Sequence, residues 1–117
     1  MKSGRILVID DDASIRDVMK MSLETEGYEV VSAENGKAGL ESIKLAGRPS
    51  VIVLDLMMPV MNGWKFLDAM KTDPVLTSIP VIVISAFVDQ EPNIAASEVL
   101  SKPFSMRILL DKIRKYC

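Results

Sequence analysis

Segments with the pattern of buried strands alternate with segments of helical periodicity along the chain, and this alternation limits the possible folds more than any other feature. Five short runs are apolar or rich in β-branched residues, which is typical of strands in a covered sheet. They lie at 5–10, 28–33, 51–55, 79–85 and 98–101. Because helices between strands carry the chain to parallel neighbours, the sequence predicts an α/β fold with helices on both faces of a parallel sheet.

The segments between these strands have apolar residues at helical spacing. In the first of them, Ser14 and Asp17 resemble a capping box, and Val18 falls on the predicted inner face. Only residues 86–97 connect the last two strands, which is close to the shortest possible crossover. We therefore expect the helix between these strands to be reduced to one or two turns or replaced by a mobile loop. The remaining helices are predicted over 13–26, 36–46, 63–71 and from 106 nearly to the end.

Length and composition exclude several classes of function. The 117 residues fit one domain, 1–117, and the apolar runs are far shorter than the roughly 18 residues that span a bilayer. We expect a cytoplasmic protein without membrane insertion. The net charge of −2 and the absence of a basic run predict no direct contact with nucleic acid. The absence of histidine removes the usual general base and zinc ligand, and the lone Cys117 cannot form an internal disulfide.

Polar side chains follow four of the predicted strands. In open parallel sheets, ligands bind beyond the carboxyl ends of the strands, so these side chains are expected at one edge. A single lysine cannot balance several close carboxylates, and an all-oxygen ligand set favours a hard divalent ion such as Mg²⁺. Asp12 is instead expected to cap the first helix. The strand ends carry Asp10, Asp11 and Asp12, then Asp55, then Ser85, and finally Lys102.

Asp55 follows four apolar residues directly, and a carboxylate at the end of a buried strand is costly unless its charge is used. Taken alone, it is explained equally well as a helix or turn cap. A carboxylate can also attack phosphorus and form an acyl phosphate. Together with the other strand-end residues, this suggests that Asp55 accepts a phosphoryl group while Mg²⁺ and Lys102 neutralise the charge on its oxygens.

These residues resemble the response-regulator receiver domains of two-component signalling, close in length to the stand-alone chemotaxis type. The resemblance rests on ILVIDDD, VIVLDLMMPVMNG, IPVIVISA and LSKPF, and on spacings of 45 residues from Asp10 to Asp55 and 30 from Asp55 to Ser85. It implies a flavodoxin-like, doubly wound sheet of five parallel strands in the order 2-1-3-4-5. It also implies a sensor histidine kinase or a histidine phosphotransfer protein as donor, and a downstream protein target.

The resemblance also implies a role for each strand-end residue. Asp55 would be the phosphoacceptor, with the Ser85 hydroxyl and Lys102 directed at the phosphoryl group. The Lys102–Pro103 bond is expected to be cis. The Mg²⁺ ligands would be Asp11, Asp55, the backbone carbonyl of Met57, and Asp10 mainly through a water on the ion.

The chain departs from the family pattern in two places. The segment after Ser85 is shorter than usual, so the helix before the last strand is expected to be shortened or missing. Val99 stands three residues before Lys102, where the family usually has Tyr or Phe, so the usual hydroxyl–aromatic switch is expected to be absent.

Three other functions compete with this interpretation. An FMN carrier could share the fold, but three carboxylates in the DDDAS loop would repel a bare phosphate. A Mg²⁺-dependent phosphohydrolase would have a second Asp two residues after its nucleophile, where this chain has Met57. A degenerate receiver that is never phosphorylated, and acts only as an interaction module, is the third.

Overall fold

A computed structural model describes residues 4–58, 60–86 and 96–117. Five strands form one parallel sheet in the order β2-β1-β3-β4-β5, as the resemblance implied. The observed strands are up to two residues shorter than predicted at their ends. They are β1 (Arg5–Ile9), β2 (Glu29–Ala33), β3 (Val51–Asp55), β4 (Val81–Ser85) and β5 (Glu98–Ser101).

Helices flank the sheet at the predicted places, and one short helix was not predicted. The Pro74–Thr77 helix is a single turn with Asp73 as its N-cap and proline in the first helical position. The predicted short helix or loop between β4 and β5 falls mainly on 87–95, which lie outside the described residues. The helices are α1 (Ala13–Thr25), α2 (Gly36–Ala46), α3 (Gly63–Lys71), α4 (Pro74–Thr77) and α5 (Met106–Arg114).

The sheet has a separate apolar core on each face because successive strand residues point in opposite directions. Every residue of β3 and β4 is buried, which accounts for their continuous apolar sequence. Val53 joins the core under α1 and α5, whereas its neighbours Ile52 and Leu54 join the core under α2 and α3. This packing holds the two central strands, and hence Asp55 at the end of β3, in fixed positions.

The sequence reading of α1 was wrong in two details. The Ser14–Asp17 capping box does not begin the helix. Asp12, the other cap expected from the sequence, does: its carboxylate accepts hydrogen bonds from the backbone N–H groups of Ser14 at 2.9 Å and Ile15 at 3.2 Å. Val18 is 56% exposed, whereas Met19 and Leu23 are buried. The inner face of α1 is therefore narrower than the apolar pattern suggests, and it leaves apolar surface open beside the carboxyl edge.

Strand β5 lies at the edge of the sheet and is tied to α5 by a polar cluster. The Glu98 carboxylate accepts hydrogen bonds from Lys112 Nζ and the Tyr116 hydroxyl, both at 2.9 Å, and pairs with Lys115 Nζ at 3.5 Å. The hydrogen bonds from Lys112 and Tyr116 are the main reason that the pKa of Glu98 falls to about 2. The cluster fixes the beginning of the strand that leads to Lys102.

Among the described residues, no helix is both long and apolar enough to cross a membrane.

Candidate functional site

Side chains at the carboxyl ends of β1, β3 and β5 meet at one edge of the sheet. Lys102 Nζ lies 3.0 Å from Asp10 Oδ2 and 3.7 Å from Asp55 Oδ1. Asp10, Asp11 and Asp55 each place one carboxylate oxygen within 4.8 Å of the others. The structure therefore brings together the predicted carboxylates and the predicted lysine.

Strand register explains why these residues meet. Ile9 of β1 lies opposite Leu54 of β3. Because the two strands are parallel, the residues that come next along them, Asp10 and Asp55, lie side by side. On the other side of β3, Asp55 lies opposite Ile84, which places Ser85 at the same edge. Ser85 is fully buried, and its carbonyl accepts a 3.0 Å hydrogen bond from the backbone N–H of Lys102. Parallel pairing thus gathers residues that are far apart in the sequence.

Asp10 is held tightly in place. It is 2% exposed, and its backbone N–H donates to the Ala33 carbonyl at 3.1 Å. Its carboxylate accepts the Asp12 N–H at 2.9 Å on Oδ1 and the Lys102 ammonium at 3.0 Å on Oδ2. Asp11 is exposed, by contrast, and in the described part of the chain no hydrogen bond or ion pair reaches its carboxylate.

The electrostatic environment of Asp55 opposes its negative charge. Asp55 is 5% exposed, and burial, followed by the Asp10 carboxylate, raises its pKa to about 6. Lys102 and a hydrogen bond from the Met57 N–H act in the other direction, and Asp11 adds a small further rise. One lysine is thus insufficient to offset burial and two neighbouring carboxylates, so an additional cation would favour the ionised form of Asp55.

Replacing Asp55 with asparagine should stabilise the metal-free protein at neutral pH. An unfolded Asp ionises near 3.8 and the folded Asp55 near 6, so the stability that Asp55 contributes is present below about pH 4 and lost as the pH rises through 6. The shift corresponds to roughly 3 kcal/mol, and because the edge is open to water we expect about 1 to 2 kcal/mol.

Urea unfolding of both proteins in EDTA, at about pH 4 and about pH 8, measures this difference. We expect Asp55→Asn to gain free energy of unfolding only at the higher pH. Asp68→Asn on exposed α3 is the matched control, because Asp68 pairs only loosely with Lys71 at 3.8 Å. An Asp55→Asn protein with the same stability difference at both pH values would contradict the assignment.

The residues present suit Mg²⁺. The three carboxylates supply oxygen ligands of the kind that Mg²⁺ prefers, and their separation of at most 4.8 Å allows them to share one ion with small movements. Among residues 4–58, 60–86 and 96–117, Asp10, Asp11 and Asp55 are the acidic residues grouped closely enough to hold a metal ion. The role of the Met57 carbonyl as a ligand stays a prediction.

Two further expectations are confirmed by the structure. Asp12 caps α1, and the Lys102–Pro103 bond is cis.

The sequence did not indicate that Arg16 is a neighbour of the site. Its Nη1 donates a 2.6 Å hydrogen bond to the backbone carbonyl of Asp10. The available signal was a basic residue one turn into the helix that follows an acidic run, but this pattern does not show where the guanidinium points.

Comparisons with known proteins agree with this geometry. Over its full length, the chain superposes on response regulator TrrA of Thermotoga maritima, solved with Mg²⁺–BeF, with a TM-score of 0.84, 31% identity and 100% coverage of that chain. Chemotaxis response regulator CheY4 of Vibrio cholerae gives a TM-score of 0.87 and 27% identity, over 99% of this chain and 100% of that one.

A probable transcriptional regulatory protein of Picosynechococcus is 36% identical over 95% of this chain and 48% of its own length. The chain spans about half the length of the curated relatives it matches. The family model described as the response regulator receiver domain matches residues 6–114. Because this match covers nearly the whole sequence and the solved neighbours share the five-stranded fold, the chain belongs to the response regulator receiver domain family.

Proposed function

We propose that residues 1–117 form one receiver domain that accepts a phosphoryl group on Asp55 in a Mg²⁺-dependent reaction. Receiver domains are signalling domains rather than conventional enzymes, and this one would catalyse only its own phosphorylation and dephosphorylation. The observation that carries the proposal is the buried Asp55 carboxylate, 3.7 Å from Lys102 and grouped with Asp10 and Asp11. A carboxylate with a pKa near 6 is ionised, and hence nucleophilic, at neutral pH.

Asp10, Asp11 and Asp55 would hold the Mg²⁺, with the Met57 carbonyl as a further ligand. The ion supplies positive charge that offsets the carboxylates and the oxygens of the incoming phosphoryl group. Three carboxylates and one lysine leave the site with an excess of negative charge, which supports this assignment. The related TrrA structure, which contains Mg²⁺–BeF, supports it independently.

The reaction would proceed as an in-line displacement. An Asp55 carboxylate oxygen attacks phosphorus, and the bond from phosphorus to the donor breaks with its electron pair leaving on the donor. Lys102 is close enough to move from Asp10 toward a phosphoryl oxygen, since its ammonium lies between the two carboxylates. The Ser85 hydroxyl, at the end of the neighbouring strand, would donate to another oxygen.

A sensor histidine kinase or a histidine phosphotransfer protein would be the physiological donor, and a small acyl phosphate could replace it. The edge of the site offers apolar surface for such a partner, because Ile15 and Phe104 line two adjoining shallow grooves. One of these grooves also includes Val18, and the other includes Lys102. Phosphorylation would then switch binding to a downstream protein target. The net charge of −2 gives no support for direct binding of this domain to nucleic acid.

Incubation with acetyl phosphate tests the proposal most directly. We expect the intact mass to increase by one phosphoryl group when Mg²⁺ is present and to stay unchanged in excess EDTA. The modified protein should lose the group in hydroxylamine, as an acyl phosphate does. Absence of any mass gain with acetyl phosphate and with a panel of kinases would favour the degenerate receiver, and continuous release of phosphate from an added phosphomonoester would favour the hydrolase.

A further inference from the structure

We infer that Arg16 is a positioning residue for the Mg²⁺ site, because its guanidinium fixes the peptide group that carries Asp11. The inference rests on the proposed function, since it assumes that Asp11 is a ligand of the ion. Arg16 is half-buried on the first turns of α1, and its Nη1 donates to the Asp10 carbonyl at 2.6 Å. A hydrogen bond from a charged donor at this distance is among the stronger ones in proteins.

The Asp11 side chain differs from those of the other two acidic residues at the site. Asp10 and Asp55 are buried and in contact with Lys102, so their carboxylates are fixed by their surroundings. Asp11 is exposed, and within the described ranges nothing bonds to its carboxylate. Its carboxylate can therefore be directed at the ion only through the backbone from which it projects.

That backbone is anchored on both sides of Asp11. The peptide group before it is planar, so holding the Asp10 carbonyl also sets the direction of the Asp11 N–Cα bond. Arg16 provides this anchor. The peptide group after it is held because the Asp12 N–H donates to Asp10 Oδ1 at 2.9 Å.

The backbone of Arg16 is also bonded to the loop that its side chain anchors. Its backbone N–H donates to the Asp12 carbonyl at 3.0 Å, as part of the first turn of α1. Asp12 caps the same helix. Arg16 is therefore bonded to the loop at two points, Asp12 through its backbone and Asp10 through its side chain. A substitution at position 16 changes the loop directly.

The positive charge of Arg16 and its positioning role predict opposite effects on Mg²⁺ affinity when Arg16 is replaced, so a measurement of this affinity can separate them. As a cation beside an acidic cluster, Arg16 would repel Mg²⁺, so its neutralisation should tighten binding. As a positioning residue, it orients a ligand, and outer-shell partners of metal ligands typically change metal affinity by about 10- to 100-fold. We expect positioning to dominate, since Arg16 touches the backbone of a ligand directly.

The experiment is an isothermal titration of the unphosphorylated protein with MgCl₂. Arg16→Gln and Arg16→Met both remove the guanidinium and its charge. Gln keeps an amide N–H on a shorter side chain, whereas Met keeps an apolar stem and has no N–H donor. We expect either substitution to weaken Mg²⁺ binding by about tenfold. Lys20→Gln, which removes a charge from an exposed position on the same helix, should change the affinity less than twofold.

Equal or tighter Mg²⁺ binding by the folded Arg16 variants would overturn the inference. Circular dichroism of each variant tests folding, and loss of the fold in both would also overturn it, because the role of Arg16 would then not be confined to the site. A wild-type protein that fails to bind Mg²⁺ would instead contradict the proposed function, so the two failures can be distinguished.

Discussion

Asp55→Asn is expected to abolish the gain of a phosphoryl group completely. An amide oxygen is a poor nucleophile, so the substitution removes the reacting group while keeping nearly the same size and shape. The neighbouring acids cannot replace it equally well. Both oxygens of Asp10 already accept hydrogen bonds, from the Asp12 N–H and Lys102, and Asp11 is exposed at the margin of the site.

The measurement is intact mass after incubation with acetyl phosphate and Mg²⁺, with wild type in parallel. Asp68→Asn makes the same chemical change on the exposed face of α3 and should gain the phosphoryl group at the wild-type rate. Because Asp55→Asn is expected to be at least as stable as wild type, a lack of labelling cannot be attributed to unfolding. Persistent labelling of Asp55→Asn would show that another residue, with Asp11 as the first candidate, is the acceptor.

The arrangement of Asp10, Asp55 and Lys102 was predictable from sequence because it depends on features that sequence records well. Strand-like runs are evident from their apolar residues, and parallel strands bring their carboxyl ends to one edge. Once the strands are placed, Asp10 and Asp55 must be neighbours, and Lys102 must lie at the same edge of the sheet. The observed separations of 3.0 and 3.7 Å from Lys102 to the two carboxylates agree with this reasoning.

Features that depend on a single side-chain torsion or turn were not predictable in the same way. The Arg16 contact depends on the direction taken by a long, flexible side chain, which helical periodicity leaves undetermined. Val60 has a φ of 67°, although β-branched residues strongly disfavour this left-handed region. Local propensity argues against this conformation, so the residue type at position 60 does not predict it.

The start of α1 shows how two plausible local signals can compete. Asp12 and Ser14 are both good N-cap residues, and the sequence contains an acidic residue at the position that a Ser14 capping box requires. The structure selects Asp12 because β1 ends at Ile9 and the chain turns into the helix within three residues. The choice therefore depends on where the sheet ends, which is a tertiary constraint.

Gly63→Ala is expected to cost about 1 to 3 kcal/mol of the free energy of unfolding, as overpacking of a tight contact typically does. Gly63 begins α3 and donates its N–H to the Leu56 carbonyl at 2.9 Å. A Cβ at this position would lie 2.7 Å from both the Asp55 carbonyl oxygen and the Leu56 Cα. Both are backbone atoms of the strand end, so relief requires the helix and the strand to separate.

The same displacement should move Asp55 relative to Lys102 and slow phosphorylation by acetyl phosphate. Gly39→Ala is the comparison, because a Cβ there meets chiefly the Cδ1 end of the Ile9 side chain, at 2.5 Å, which can adjust by rotation. Its cost should be smaller, since alanine also gains helix propensity in the middle of α2. Urea unfolding and the rate of mass gain measure the two effects. A Gly63→Ala protein that matches wild type in both would show that α3 does not need its close approach to β3 to hold the site.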